Sequence, residues 1–76
     1  MRLLLYTRPD CELCDAVAAI ARSLGAEIEP VDITEDIGLL ERYGTRIPVL
    51  RDPDSGRELD FPIDHAKLAA WLDEPS

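Results

Sequence analysis

Basic side chains are scarce in this sequence. Eight Lys and Arg face sixteen Asp and Glu, and the formal charge is −8. Nucleic-acid binding draws on cations that neutralise phosphates, so no nucleic-acid partner is expected. An anionic membrane surface repels the chain for the same reason. Long apolar runs are missing too. Arg2 and Leu3-Leu4-Leu5 imitate the start of a secretory signal, but the run ends at Tyr6-Thr7-Arg8. That is short of the roughly 7–15 apolar residues such a segment needs. A cytoplasmic location without a membrane partner is the expectation. Cysteine is confined to Cys11 and Cys14, three positions apart. Two cysteines this close cannot staple distant parts of a small secreted scaffold. In a reducing compartment the pair points to redox or metal chemistry. There is one histidine, His65, and no second cysteine pair, repeat, linker or low-complexity tract.

The remainder fits one globular domain over residues 1–76, with 46% hydrophobic and 32% charged residues. Ordering the chain costs on the order of 100 kcal/mol, at roughly 1.5 kcal/mol per residue. Nearly all apolar side chains must then go inside, and few remain to line a large pocket.

Leu3-Leu4-Leu5-Tyr6 reads as a buried strand. Leu13, Val17, Ile20, Ala21 and Leu24 recur at helical spacing, opened by Pro9-Asp10 and closed by Gly25. Ile28, Val31 and Ile33 form a second strand, and Pro30 puts it near a sheet edge. Thr34 is the expected N-cap of a second helix carrying Ile37, Leu40 and Tyr43 and stopped by Gly44. Ile47-Pro48-Val49-Leu50 is a third strand. A turn at 52–56 leads into a fourth, Glu58-Leu59-Asp60-Phe61, and Asp64 caps a last helix with Leu68, Ala69, Trp71 and Leu72. The order is β-α-β-α-β-β-α, an α/β domain with a parallel start and an antiparallel hairpin.

The first strand delivers the chain to Cys11 at the mouth of the first helix. Unpaired N–H groups and the positive end of the helix dipole favour a thiolate there. Cys14 lies one turn further in on the same face. Within a regular helix such residues have Cβ atoms about 5–6 Å apart, and a disulfide wants about 3.5–4.5 Å. The pair closes only if Cys11 is not yet helical. Cys11 is the expected nucleophile and Cys14 the expected resolving thiol. Tyr6, at the end of the first strand, is either a core residue or a wall of this site.

The segment Tyr6-Thr7-Arg8-Pro9-Asp10-Cys11-Glu12-Leu13-Cys14 resembles the active-site segment of glutaredoxins within the thioredoxin-like fold. Thr45-Arg46-Ile47-Pro48 is similar to that fold's second signature, a cis-proline entering the third strand. The likeness spans almost the whole chain in element order. It is nearest to small bacterial glutaredoxin-like proteins with a C-x-L-C motif. The resemblance implies a four-stranded mixed sheet flanked by helices, and thiol–disulfide exchange with a protein disulfide or a small thiol. It implies a cis Pro48 facing the cysteines, and an Ile47 backbone that pairs with an extended substrate. It also implies an Arg8 side chain placed to meet a glutathione carboxylate. No tightly bound cofactor and no metal ligand set are expected. Glutathione is a candidate reductant or substrate, and a monomer is expected.

The chain departs from ordinary glutaredoxins at three places. Glu12-Leu13 stands where Pro-Tyr is usual, and Leu59 to Asp64 contains no Gly-Gly pair. Asp10, Glu12 and Asp15 crowd Cys11 with negative charge. They oppose the helix dipole and Arg8, so Cys11 is expected to ionise only modestly more readily than a free cysteine. Disfavouring the thiolate favours the disulfide and a reducing potential. Two other readings stay open at this stage. One is a dimeric iron–sulfur relative, for which one chain supplies two of four thiolates. The other is a catalytically idle module that binds a partner protein.

Overall fold

The computed structural model describes residues 1–74. Strand β1 (Arg2–Thr7) is followed by helix α1 (Glu12–Ser23) and strand β2 (Glu27–Asp32). A 3-10 turn (Ile33–Glu35) and helix α2 (Ile37–Tyr43) lead to strands β3 (Val49–Arg51) and β4 (Glu58–Asp60), and helix α3 (His65–Asp73) ends the domain. The sheet order is β2-β1-β3-β4. β1 pairs parallel with β2 and antiparallel with β3, and β3 pairs antiparallel with β4. The expected mixed four-stranded α/β architecture is therefore what forms. β2 lies at an edge, where a proline that lacks an N–H is tolerated.

The middle of β1, Leu3 to Tyr6, is apolar because the sheet is covered on both sides. Successive side chains point to opposite faces. Leu3 and Leu5 join Leu50 and Leu59 in one core with Cys14, Val17, Ala18, Ala21, Leu68 and Trp71. Tyr6 and Val49 turn to the other face and pack with Ile33 and Tyr43. Thus α1 and α3 cover one face, while α2 and the 3-10 turn cover the other.

Three local expectations are corrected. The buried stripe of α1 is Cys14, Val17, Ala18 and Ala21, so Leu13 falls off it and is 54% exposed. Cysteine packs as a small hydrophobe, and counting Cys14 as apolar moves the stripe by one residue. Thr34 is not the cap of α2. Asp32 caps the 3-10 turn through the Thr34 N–H (2.9 Å), and Asp36 caps α2 through the Leu39 N–H (3.1 Å). Two carboxylates in succession thus split one expected helix into two pieces. α2 then turns Tyr43 inward and leaves Ile37 and Leu40 exposed. The Asp64 cap forms as expected, accepting from the Lys67 N–H at 2.7 Å.

A half-buried polar network ties the end of α2 to the β3–β4 hairpin. The Tyr43 hydroxyl donates to Glu58 at 2.5 Å, Arg51 donates to the same carboxylate oxygen at 3.0 Å, and Arg46 donates to the other oxygen at 3.2 Å. Burial pushes the Glu58 carboxyl up, but the Tyr43, Arg46 and Arg51 donors outweigh it and hold Glu58 below its ordinary value. Burial, and then the Glu58 hydrogen bond, push the Tyr43 hydroxyl up.

A carboxyl held low in the folded state stabilises the fold fully above its unfolded value, about 4.3. That contribution is lost as pH falls through the lower folded value. Glu58→Gln is expected to cost about 1–3 kcal/mol at neutral pH, the range for losing hydrogen bonds to a charged acceptor. Urea unfolding between pH 7 and pH 3 should show a smaller loss of stability on acidification in the variant than in the parent. Equal losses would remove Glu58 as the source.

Candidate functional site

The strand register gathers three loops at one end of the sheet. Tyr6 is opposite Val49, and Val49 is opposite Asp60. Because β3 runs against its two neighbours, the exit of β1 toward Cys11, the entry of β3 at Pro48 and the exit of β4 at Phe61 share that end.

Between β1 and α1 the chain turns sharply. Asp10 adopts φ +61°, the left-handed region that few residues other than Gly, Asn and Asp enter. Cys11 is then the N-cap of α1, with extended φ −92° and ψ 98°. The Cys14 backbone N–H donates to Cys11 Sγ at 3.2 Å. The two cysteines are joined as a disulfide, with Cα atoms 5.2 Å apart. The separation lies within the usual range of about 4.4–6.8 Å. The helix mouth required by the spacing argument is therefore present. Cys11 is half-buried and Cys14 is only 1% exposed. The Cys14 N–H and the positive end of α1 lie at Cys11 Sγ, an arrangement that suits negative charge on that sulfur.

The Ile47–Pro48 and Phe61–Pro62 peptide bonds are cis. Pro48 is fully buried. Ile47 is half-buried and packs against both cores, one of which also takes Cys11 at its border. Its N–H is already committed, donating to the Tyr43 carbonyl at 3.1 Å. The backbone group that Ile47 can offer an incoming chain is therefore its carbonyl.

Arg8 is exposed, and among the described residues its side chain makes no hydrogen bond or ion pair. Asp10, Glu12 and Asp15 are likewise exposed, so the negative rim read from the sequence surrounds the Cys11 turn. Tyr6 is 7% exposed and stacks on Tyr43, with ring centroids 4.2 Å apart. Its core is the one without the cysteines. Alternation along β1 sends Leu5 to the cysteine side and Tyr6 to the other, so the structure does not group Tyr6 with the pair. Two residues at this end of the sheet that the sequence placed in a helix stripe and a strand stand exposed beside the cysteine loop or the β4 exit. Leu13 stands exposed between the cysteines, and Phe61, 46% exposed, follows β4. The displaced stripe of α1 is the signal that identifies Leu13; Phe61 has none short of the strand register.

A family model for the glutaredoxin-like domain (DUF836) matches residues 2–73. The chain belongs to that family. Its fold is similar to the X-ray structure of a structural-genomics target protein from X. campestris. The two are 53% identical, with a TM-score of 0.82, over 93% of this chain and 95% of that one. A solution structure of a target from the same organism matches at 53% identity and TM-score 0.80, over 96% and 94% of the two chains. No curated protein matches the chain. Family membership and the closed Cys11–Cys14 pair together support a thiol-redox role. No helix among the described residues is long and apolar enough to cross a membrane.

Asp10 carries both the backbone turn and part of the negative rim, and the two roles separate on substitution. Asp10→Asn keeps the tolerance for the left-handed region, and iodoacetamide should alkylate the reduced Cys11 faster at pH 7. Asp10→Val puts a β-branched side chain in that region and should lower stability by about 1–2 kcal/mol. A valine variant with the parent's thermal midpoint would show that the turn relaxes freely.

Proposed function

We propose that the protein is a dithiol thiol–disulfide oxidoreductase with Cys11 as nucleophile and Cys14 as resolving thiol. One observation carries the reading. The accessible cysteine is the N-cap of α1, it accepts the N–H of the buried one, and the two are already bonded.

The Cys11 thiolate attacks one sulfur of a substrate disulfide. A Cys11–substrate disulfide forms, and the other substrate sulfur leaves as a thiolate that takes up a proton. Cys14, deprotonated in turn, attacks Cys11 Sγ. The Cys11–Cys14 bond forms and the second substrate sulfur leaves. Two electrons have moved to the substrate, and the protein ends in its disulfide form. An external two-electron donor, either two glutathione molecules or a reductase, restores the dithiol.

The substrate is a protein disulfide or a mixed disulfide with a small thiol. An extended substrate donates a backbone N–H to the Ile47 carbonyl beside cis Pro48, in the manner of strand addition. Arg8 is free to meet a substrate carboxylate, and exposed Leu13 offers an apolar contact between the cysteines. The unpaired carboxylates around Cys11 work against anionic glutathione. The protein acts in the cytoplasm as a monomer, without nucleic acid, membrane or a tightly bound cofactor.

Cys11→Ser should abolish reduction of a model disulfide. Cys14→Ser should accumulate a mixed disulfide visible by mass spectrometry. Full activity in the Cys11 variant would reject the assignment. Running a glutathione-coupled assay beside a thioredoxin-reductase-coupled one identifies the donor.

The negative rim also sets an expected redox potential. It should lie nearer the thioredoxin value of about −270 mV than the glutaredoxin range of about −200 to −230 mV. Equilibration with glutathione buffers measures it, and a value above the glutaredoxin range would sink the electrostatic argument.

A further inference from the structure

The loop between α2 and β3 carries Ile47 and Pro48, and its backbone has little to hold it. The Arg46 N–H (2.9 Å) and the Ile47 N–H (3.1 Å) both donate to the Tyr43 carbonyl, which ties the loop to α2 alone. Pro48 is buried and Ile47 packs on both cores, but the side-chain hydrogen bonds from the loop to the sheet come from Arg46. Its Nε donates to Asp60 Oδ2 at 3.1 Å, and its Nη2 donates to Asp60 Oδ1 at 2.8 Å and to Glu58 Oε1 at 3.2 Å. The guanidinium carbon also sits 4.9 Å from the centre of the Tyr43 ring. Glu58 and Asp60 are two apart on β4, so they share a face. A planar fork spans both carboxylates, where a lysine ammonium would make one point contact. Isolated surface ion pairs hold little, whereas bidentate and networked ones are the exception. Arg46 is bidentate, networked and stacked at once.

We propose that Arg46 is a positioning residue for the exchange reaction: gripping Asp60 and Glu58, it fixes the Arg46–Ile47–Pro48 backbone so that the Ile47 carbonyl is held for an extended substrate. The proposal rests on the thiol-exchange reading above. Arg46 acts through Ile47, and the sulfurs keep their intrinsic reactivity. Its loss therefore weakens the hold on substrates that have a peptide backbone and spares those that have none.

The test compares a mixed disulfide of glutathione with a peptide cysteine against bis(2-hydroxyethyl) disulfide, which has no peptide group. Arg46→Ala should raise KM for the peptide substrate by up to about tenfold, the upper end for losing one backbone hydrogen bond, with kcat within about twofold. Its rate with the small disulfide and its Cys11 alkylation rate should match the parent. Arg46→Lys should recover part of the KM. Arg51→Ala loosens the same Glu58 network from β3 without touching the loop, and should leave KM unchanged. An unchanged KM in Arg46→Ala overturns the proposal. So does an equal rise in Arg51→Ala, which would mean general loosening. If circular dichroism shows Arg46→Ala unfolded, Asp60→Asn, which weakens the fork from its exposed partner, decides by the same criterion. A parent protein that reduces neither substrate removes the thiol-exchange reading and this role with it. A parent that reduces both, with Arg46→Ala indistinguishable from it, removes the positioning role alone.

Discussion

The two sulfurs can bond because Cys11 stands just outside the helix to which Cys14 belongs. A cysteine inside a regular helix projects outward from the axis, and the Cβ of its neighbour one turn on lies about 5–6 Å away, beyond disulfide reach. Extended backbone at Cys11 redirects its side chain toward Cys14. That geometry needs an abrupt exit from β1, which Asp10 supplies in the left-handed region. It also needs β1 to be immovable. β1, like β3, has partners on both sides and side chains in both cores, so the turn begins from a strand held on every side. The same helix mouth that permits the bond turns the Cys14 N–H onto the sulfur.

A domain this small can bury a core on each face of one sheet and has little left with which to enclose a ligand. The cysteine pair sits accordingly at an end of the sheet, where three loops come side by side. Two of these loops enter or leave their strands through a cis proline. The third carries the cysteines. Their relative placement comes from the pairing of Tyr6 with Val49 and of Val49 with Asp60. Charge surrounds the cysteines without enclosing them: Asp10, Glu12, Asp15 and Arg8 all stay in contact with water.

Much of this was legible from residue patterns. The apolar run of β1, the proline that banishes β2 to an edge, Gly25 after α1 and the Asp64 cap each act over a few residues, so local rules find them. The paired cysteines at a strand-to-helix junction were legible for the same reason. The misreadings share a different cause. Leu13 was assigned to the core because leucine outranks cysteine as an apolar marker, whereas Cys14 holds the buried position. Ile37 and Leu40 belong to a helix too short to bury more than one turn's face, and Tyr43 takes it. Tyr6 is a different case: of its two readings, core residue or wall of the site, its burial and its stacking on Tyr43 support the core, since one step along a strand reverses the side chain.

By itself the sequence determined the element order, the sheet edge, the helix mouth at Cys11 and the negative rim around it, because each rests on contacts within one or two turns of chain. The tertiary structure alone decided which face each β1 side chain fills. It also committed the Ile47 N–H to Tyr43, and it closed Arg46 onto Glu58 and Asp60. Those partners lie 12 and 14 positions away along the chain. Hydrogen bonds of that span depend on strand register and helix docking, and no short run of residues encodes either. The acidity that argued against a nucleic-acid partner thus has two fates: three carboxylates remain in solvent beside Cys11, and two are drawn into the hydrogen-bond network of Arg46 next to the cis-proline loop.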